Sequence, residues 1–190
     1  MGIDRKKLIV EAATKSFSQF GYKATTIDQV ANIANVGKGT IYTFFKNKEE
    51  LFDEIISSLI KELKVTADEA FLGDLPFHEK LHQALYQILE FRMSHQLSIK
   101  LFQEAREIGT PAVVDVINRM ENNILRNIEE RVAKAIETGS IQSCDPKLTA
   151  FVMLKLYIAL IFDWEKNNPP LEKDEIAKLF EQYIFKGLAK

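Results

Sequence analysis

Apolar residues recur along this chain three and four positions apart, the spacing of helices that bury one face, and no stretch alternates as a half-buried strand does. The first such stripe, Leu8, Ala12, Ala13, Phe17 and Phe20, predicts a helix over about residues 4–20 that stops at Gly21. Thr26, with Gln29 three residues on, forms a capping box. It opens a short helix over residues 27–34, apolar at Ile27, Val30, Ala31 and Ala34. Asn35-Val36-Gly37 reads as a tight turn, and a third short helix follows over about residues 38–45. Asn47 with Glu50 is a second capping box, opening a longer helix to about residue 64.

The same signals continue downstream. Asp74-Leu75-Pro76 starts a helix reaching about residue 94, and another spans about residues 97–108. Thr110-Pro111 and Asp145-Pro146 each pair an N-cap with Pro at the first helical position. The first opens a helix to residue 138 that ends at Gly139; the second opens one to about residue 166. Pro169-Pro170 separates it from a last helix over about residues 172–188. The expected fold is all-α with about nine helices. A helix-turn-helix head occupies residues 1–50, with its motif at about 26–45, and residues 51–190 form a larger helical body.

Charge adds a division of labour. The net charge is only −2, yet residues 1–50 hold eight Lys/Arg against five Asp/Glu, and residues 51–190 hold seventeen against twenty-two. A basic head on an acidic body points the head toward an anionic partner. The single cysteine, Cys144, excludes a disulfide within the chain and any multi-cysteine metal site. No targeting signal is visible, and the most apolar run, residues 148–162, falls short of the ~20 residues of a membrane span. The expectation is a cytoplasmic protein without membrane contact.

In a helix-turn-helix the second short helix enters the major groove of DNA. Here it reads Lys38-Gly39-Thr40-Ile41-Tyr42-Thr43-Phe44-Phe45. Ile41 and Phe45, four apart, face inward, which leaves Thr40, Tyr42 and Thr43 for DNA. A threonine hydroxyl can bond a base edge or phosphate, and its methyl can meet the thymine methyl. Lys38 and Lys48, each at a helix start, can meet phosphates, as can the hydroxyls of Thr25 and Thr26 at a third helix N-terminus. Such contacts set register without reading sequence.

These residues resemble the TetR/AcrR family of transcriptional regulators. The resemblance is carried by Phe17, Gly21-Tyr22 and Ala24-Thr25-Thr26-Ile27. It continues through Ile33-Ala34-Asn35-Val36-Gly37-Lys38-Gly39-Thr40-Ile41-Tyr42 and Phe44-Phe45-Lys46-Asn47-Lys48-Glu49-Glu50-Leu51, covering about residues 5–55. It implies DNA contacts for Lys38, Thr40, Tyr42 and Lys48. The departures are mild: Gly37 stands where the family often has a serine N-cap, and Thr43-Phe44 replaces a common His-Tyr or Tyr-His pair. The target sequence therefore does not transfer. The resemblance also implies a homodimer on a palindromic operator, a repressor role, and release by a small, largely apolar molecule bound in the body.

The body's residues bear on the last two points. The helix at 148–162 is apolar on nearly every face and should be buried all round. The last helix adds Ile176, Leu179, Phe180, Tyr183, Ile184 and Gly187, so that two helices per subunit can form a four-helix dimer interface or simply a monomer core. Leu81, Leu85, Ile88 and Arg92 share one stripe, which aims Arg92 inward toward a ligand carboxylate, toward an ion pair with Glu104, or into a snorkelling pose. Phe102 is a candidate pocket wall. Lys155, the lone charge in its apolar helix, lines the pocket or contacts the partner subunit.

Three other signals compete. His78-Glu79-Lys80-Leu81-His82 matches H-E-x-x-H, the helical zinc-hydrolase spacing, but no third ligand stands out downstream. Cys144 has only Lys147 nearby to activate it as a redox switch. An effector-independent helical DNA-binding protein is the third alternative. No nucleophile–base pair, phosphate-binding glycine loop or cofactor motif is recognisable, and no metal or cofactor is expected.

Overall fold

The computed structural model describes residues 4–72, 74–94 and 96–186; the side chains of Arg92, Met93 and Ser94 lie outside it. Among the described residues it holds nine α-helices and no strand. They are α1 (Arg5–Ala24), α2 (Ile27–Ala34), α3 (Lys38–Tyr42), α4 (Lys48–Glu69), α5 (Phe77–Ser94), α6 (Gln96–Glu107), α7 (Pro111–Glu137), α8 (Pro146–Ile158) and α9 (Lys173–Phe180). The chain divides into two compact units, Met1–Leu63 with Arg92–Asn118, and Lys64–Phe91 with Arg119–Lys190. The first unit thus takes α6 in with the head.

In the first unit α1 packs on both α2 and α6, and α2 packs on α3. Ala12, Ala13 and Phe17 of α1 are buried as expected, whereas the ends of the stripe differ: Leu8 and Phe20 are exposed and Ile9 is buried. Phe17, Tyr22 and Phe52 form an aromatic knot, with Phe17 edge-on to Phe52 at 5.2 Å and Tyr22 tilted on Phe52 at 4.6 Å. The four expected apolar positions of α2 are all buried. Its end is a Schellman closure: Asn35 is left-handed at φ 51°, the Asn35 N–H donates to Asn32 O and the Val36 N–H to Ala31 O.

The second unit is built around Leu81, Leu85 and Leu89 of α5, Met153 of α8, Ile161, and Ile176 and Phe180 of α9. A smaller cluster holds Val132, Ala135 and Ile141, with Cys144 packed at its edge. Asp145 caps α8 by accepting from the Leu148 N–H. The expected long helix here is not uniform. After Ile158 it loosens into a π turn, Ala159–Asp163, then tightens into a 3₁₀ turn, Trp164–Lys166. The last helix likewise passes into a π turn, Glu181–Phe185; Gly187 lies outside the described residues. The described residues of one chain do not bury residues 148–162 all round: Leu148, Phe151 and Val152 on one face of α8 are 60%, 48% and 44% exposed.

Among the described residues, no helix is long and apolar enough to cross a membrane.

Candidate nucleic-acid interface

The reading helix α3 is five residues long, short enough that its orientation depends on its anchors. Ile41 and Phe45 supply them, both buried, with the Phe45 N–H closing on Ile41 O at 3.0 Å. That leaves Lys38, Gly39, Tyr42 and Thr43 on the outer face, with Thr40 partly covered. Tyr42 is 49% exposed. Nothing lies within 4 Å of where a Cβ on Gly39 would stand, so its outward side is open to a close partner. The Thr43 hydroxyl donates to Thr40 O at 2.7 Å, which leaves its oxygen as an acceptor for an outside donor. Lys38 is paired with Asp28 at 2.9 Å, and this bond raises its pKa above the ordinary lysine value. A phosphate would compete with that carboxylate for Lys38.

Thr26 is exposed and completes the expected capping box. Its Oγ1 accepts from the Gln29 N–H, and Gln29 Oε1 accepts from the Thr26 N–H at 2.8 Å. Thr25 requires a correction. It is 1% exposed, and its hydroxyl donates to Gly21 O at 2.8 Å and meets Ser16 Oγ at 3.1 Å. The chain turns so tightly after Gly21 that the side chain falls inside, where it braces the corner and cannot reach DNA.

Lys48 does two things at once. Its Nζ donates to Tyr22 O at 2.8 Å and Thr25 O at 3.0 Å, and it sits 4.2 Å from the centre of the Tyr22 ring. Burial pushes its pKa down, partly offset by Glu104 and Glu49. Two of its three protons are committed to the corner, which leaves one for another acceptor. The second expected capping box is also shifted: Asn47 Oδ1 accepts from the Glu50 N–H, but the Glu50 carboxylate reaches back to the Lys46 N–H.

One residue of this neighbourhood is not legible as a site residue. Glu104 of α6 is 5% exposed, and its two carboxylate oxygens accept from the Tyr22 N–H at 2.7 Å and the Lys23 N–H at 3.0 Å. The available signal was a carboxylate on a buried stripe: Leu97, Leu101 and Glu104 fall at i, i+4 and i+7.

The body's candidates fall in different units. The Arg92 side chain lies outside the described residues. Phe102 faces the Arg106 guanidinium at 5.6 Å and belongs to the first unit. Lys155 belongs to the second, where it pairs with Glu121 at 2.7 Å. No site built within either unit includes both. His78 is exposed beside Glu79, while His82 stacks on Tyr86. Among the described residues, no three or more His, Cys, Asp or Glu side chains are grouped to hold a metal ion.

Comparison with known proteins covers both parts of the chain. The family profile described as bacterial regulatory proteins, tetR family, matches residues 9–55, and a tetracyclin repressor-like C-terminal domain profile matches residues 74–188. The HTH-type transcriptional regulator YhgD of Bacillus subtilis (strain 168) is 67% identical over 189 residues, spanning 100% of this chain and 99% of that protein. The fatty acid metabolism regulator protein of the same organism is 29% identical over 165 residues, 76% of this chain and 82% of the relative. Among solved structures, the fatty acid degradation regulator FadR from Bacillus halodurans superposes with a TM-score of 0.77 at 19% identity, covering 98% of this chain and 97% of that one.

Proposed function

Because this chain belongs to the TetR family of transcriptional regulators, we propose that it is a homodimeric repressor that leaves its operator when a small molecule binds the body. The family's members are DNA-binding regulators, not enzymes, so the zinc-hydrolase reading of His78, Glu79 and His82 falls. The observation that carries the proposal is the division of α3 between buried Ile41 and an outer face bearing Lys38, Thr40 and half-exposed Tyr42. That face enters the major groove. Thr40, Tyr42 and Thr43 meet bases or backbone, Gly39 allows close approach, and Thr26, Lys38 and the third proton of Lys48 hold phosphates.

The uncovered face of α8 supports dimerisation. Leu148, Phe151 and Val152 lie at i, i+3 and i+4, and an apolar stripe of this kind is a surface suited to a partner. A second copy matches the two half-sites of a palindrome, about 34–36 Å apart. The cytoplasm, where such an operator lies, is the compartment that fits.

Release needs a mechanical part. Helix α4 starts with Lys48 at the corner of the head and runs on to Glu69. A ligand that binds the body and displaces α4 changes the spacing of the paired heads. To move the protein from 99:1 bound-competent to 1:99, it must favour the released state by about 10⁴-fold. The effector we propose is largely apolar. An acyl compound is the first class to offer, since one relative is named for fatty acid metabolism; its carboxylate is the group that Arg92 is suited to hold.

Selection of duplexes from a random pool at moderate salt tests the core of this reading. Enrichment of a palindrome that an acyl compound then displaces is the expected result. A palindrome that no effector class displaces favours an effector-independent regulator, and failure to enrich any sequence from ligand-free protein removes the assignment of α3.

A further inference from the structure

The corner between α1 and α2 is held from two sides by charges that come from distant parts of the chain. From one side the Glu104 carboxylate takes the N–H groups of Tyr22 and Lys23 at 2.7 and 3.0 Å. From the other, Lys48 Nζ takes the carbonyls of Tyr22 and Thr25 at 2.8 and 3.0 Å. Gly21 admits the carboxylate. A Cβ there would stand 2.5 Å from Glu104 Oε2, so the oxygen occupies space that any side chain would fill. Tyr22 is bonded through both its N–H and its C=O, which makes it the common member of the two clamps. The next residues along the chain are Thr25, buried with its hydroxyl on Gly21 O, and Thr26, the cap of α2.

We propose that Glu104 is a positioning residue for operator binding: its carboxylate holds the corner that aims Thr26 and Lys48 at the DNA backbone. This rests on the DNA-reading role proposed above for α2 and α3. Hydrogen bonds of 2.7 and 3.0 Å lose their geometry when the heavy atoms separate by about 0.5–1 Å more. No contact between Glu104 and DNA is needed.

The sign of the effect separates this role from plain electrostatics. A carboxylate near a phosphate-binding face weakens binding by repulsion, so deleting its charge should tighten DNA binding if charge were all that mattered. A positioning role predicts the reverse. Glu104→Gln keeps the size of the side chain but turns an amide NH₂ toward one of the two N–H donors.

The test measures affinity for the duplex enriched by the wild-type protein, and for a scrambled duplex, as a function of salt. Four full-length proteins are compared: wild type, Glu104→Gln, Glu104→Asp and Tyr42→Ala. Circular dichroism confirms helical content at the assay temperature. The expected result for Glu104→Gln is about tenfold or greater loss on the enriched duplex, a comparable loss on the scrambled one, and a salt slope reduced by about one phosphate contact. Glu104→Asp, which keeps the charge but withdraws it by one methylene, should fall between. If Glu104→Gln loses helical content, Glu104→Asp carries the test under the same criteria. Affinity within twofold of wild type, or a gain, overturns the proposal. If Tyr42→Ala weakens binding while the Glu104 variants do not, only the role of Glu104 falls. If Tyr42→Ala is also without effect, the reading of α3 falls with it.

Discussion

Replacing Gly21 by alanine strikes two independent features of the corner. The residue sits at φ 83°, ψ 170°, a region essentially reserved for glycine. Holding alanine there costs about 1–3 kcal/mol. The new Cβ would also lie 2.5 Å from Glu104 Oε2. The backbone cannot yield, so the carboxylate must swing away from the Tyr22 and Lys23 amides. Hydrogen bonds to a charged group contribute about 1.5–3 kcal/mol each, and partial rehydration of the amides recovers some of it. The combined cost should be about 3–5 kcal/mol. With a urea slope of about 2 kcal/mol per molar for a protein of this size, the midpoint falls by roughly 1.5–2.5 M. Far-UV circular dichroism reads the whole chain, while the single tryptophan, Trp164, reports the second unit, so the two signals show whether the loss stays in the first unit. The double-mutant cycle is decisive. In a Glu104→Ala background there is no carboxylate to displace, and Gly21→Ala should cost only its backbone strain. A coupling of about 1.5–3 kcal/mol is expected. Equal costs in both backgrounds would refute the idea that the carboxylate occupies the missing side chain's place, and a cost under about 1 kcal/mol would refute the strain as well.

Asp28 competes with phosphate for Lys38, so Asp28→Asn should tighten operator binding by roughly two- to fivefold at low salt, the scale of a screened surface pair. Unchanged or weaker binding in a fluorescence-anisotropy titration would remove Lys38 from the phosphate contacts. Phe151→Glu places a charge on the uncovered face of α8 and should weaken dimerisation by at least about a hundredfold. Sedimentation equilibrium showing wild-type dimers would move the interface elsewhere. Lys173 bonds Glu90 at 2.7 Å and lies 3.7 Å from the Tyr86 ring centre, and these contacts raise its pKa above 10.5. Its stabilisation is therefore fully present below pH 10.5 and is lost as pH rises through the raised value. The gap in urea midpoint between wild type and Lys173→Met should close in that window, and a gap independent of pH would show that packing alone is responsible.

Nearly all of the local architecture was determined by the sequence itself. Capping residues, glycine stops and the spacing of apolar residues act within a few positions, so α2 could be read to its end residues and α3 could be divided into its buried and outward sides. The same reasoning placed Gly21 as a break, since only a residue without a Cβ turns the chain so sharply there. What it could not supply was the destination of side chains that meet across long separations. Thr25 read as a surface hydroxyl until the turn folded it inward. Lys48 read as free until it met two carbonyls more than twenty residues away. Glu104 gave no sign that its oxygens take amides 81 and 82 positions earlier in the chain. Lys155 in turn found Glu121 on another helix. A helical period shows which face of a helix is inward but not what it faces, because the opposing atoms come from elements whose placement only the packed chain decides. The exposed stripe on α8 is the converse case. Its sequence pointed to burial on every side, whereas the described residues leave one side open, which no helical period could foretell.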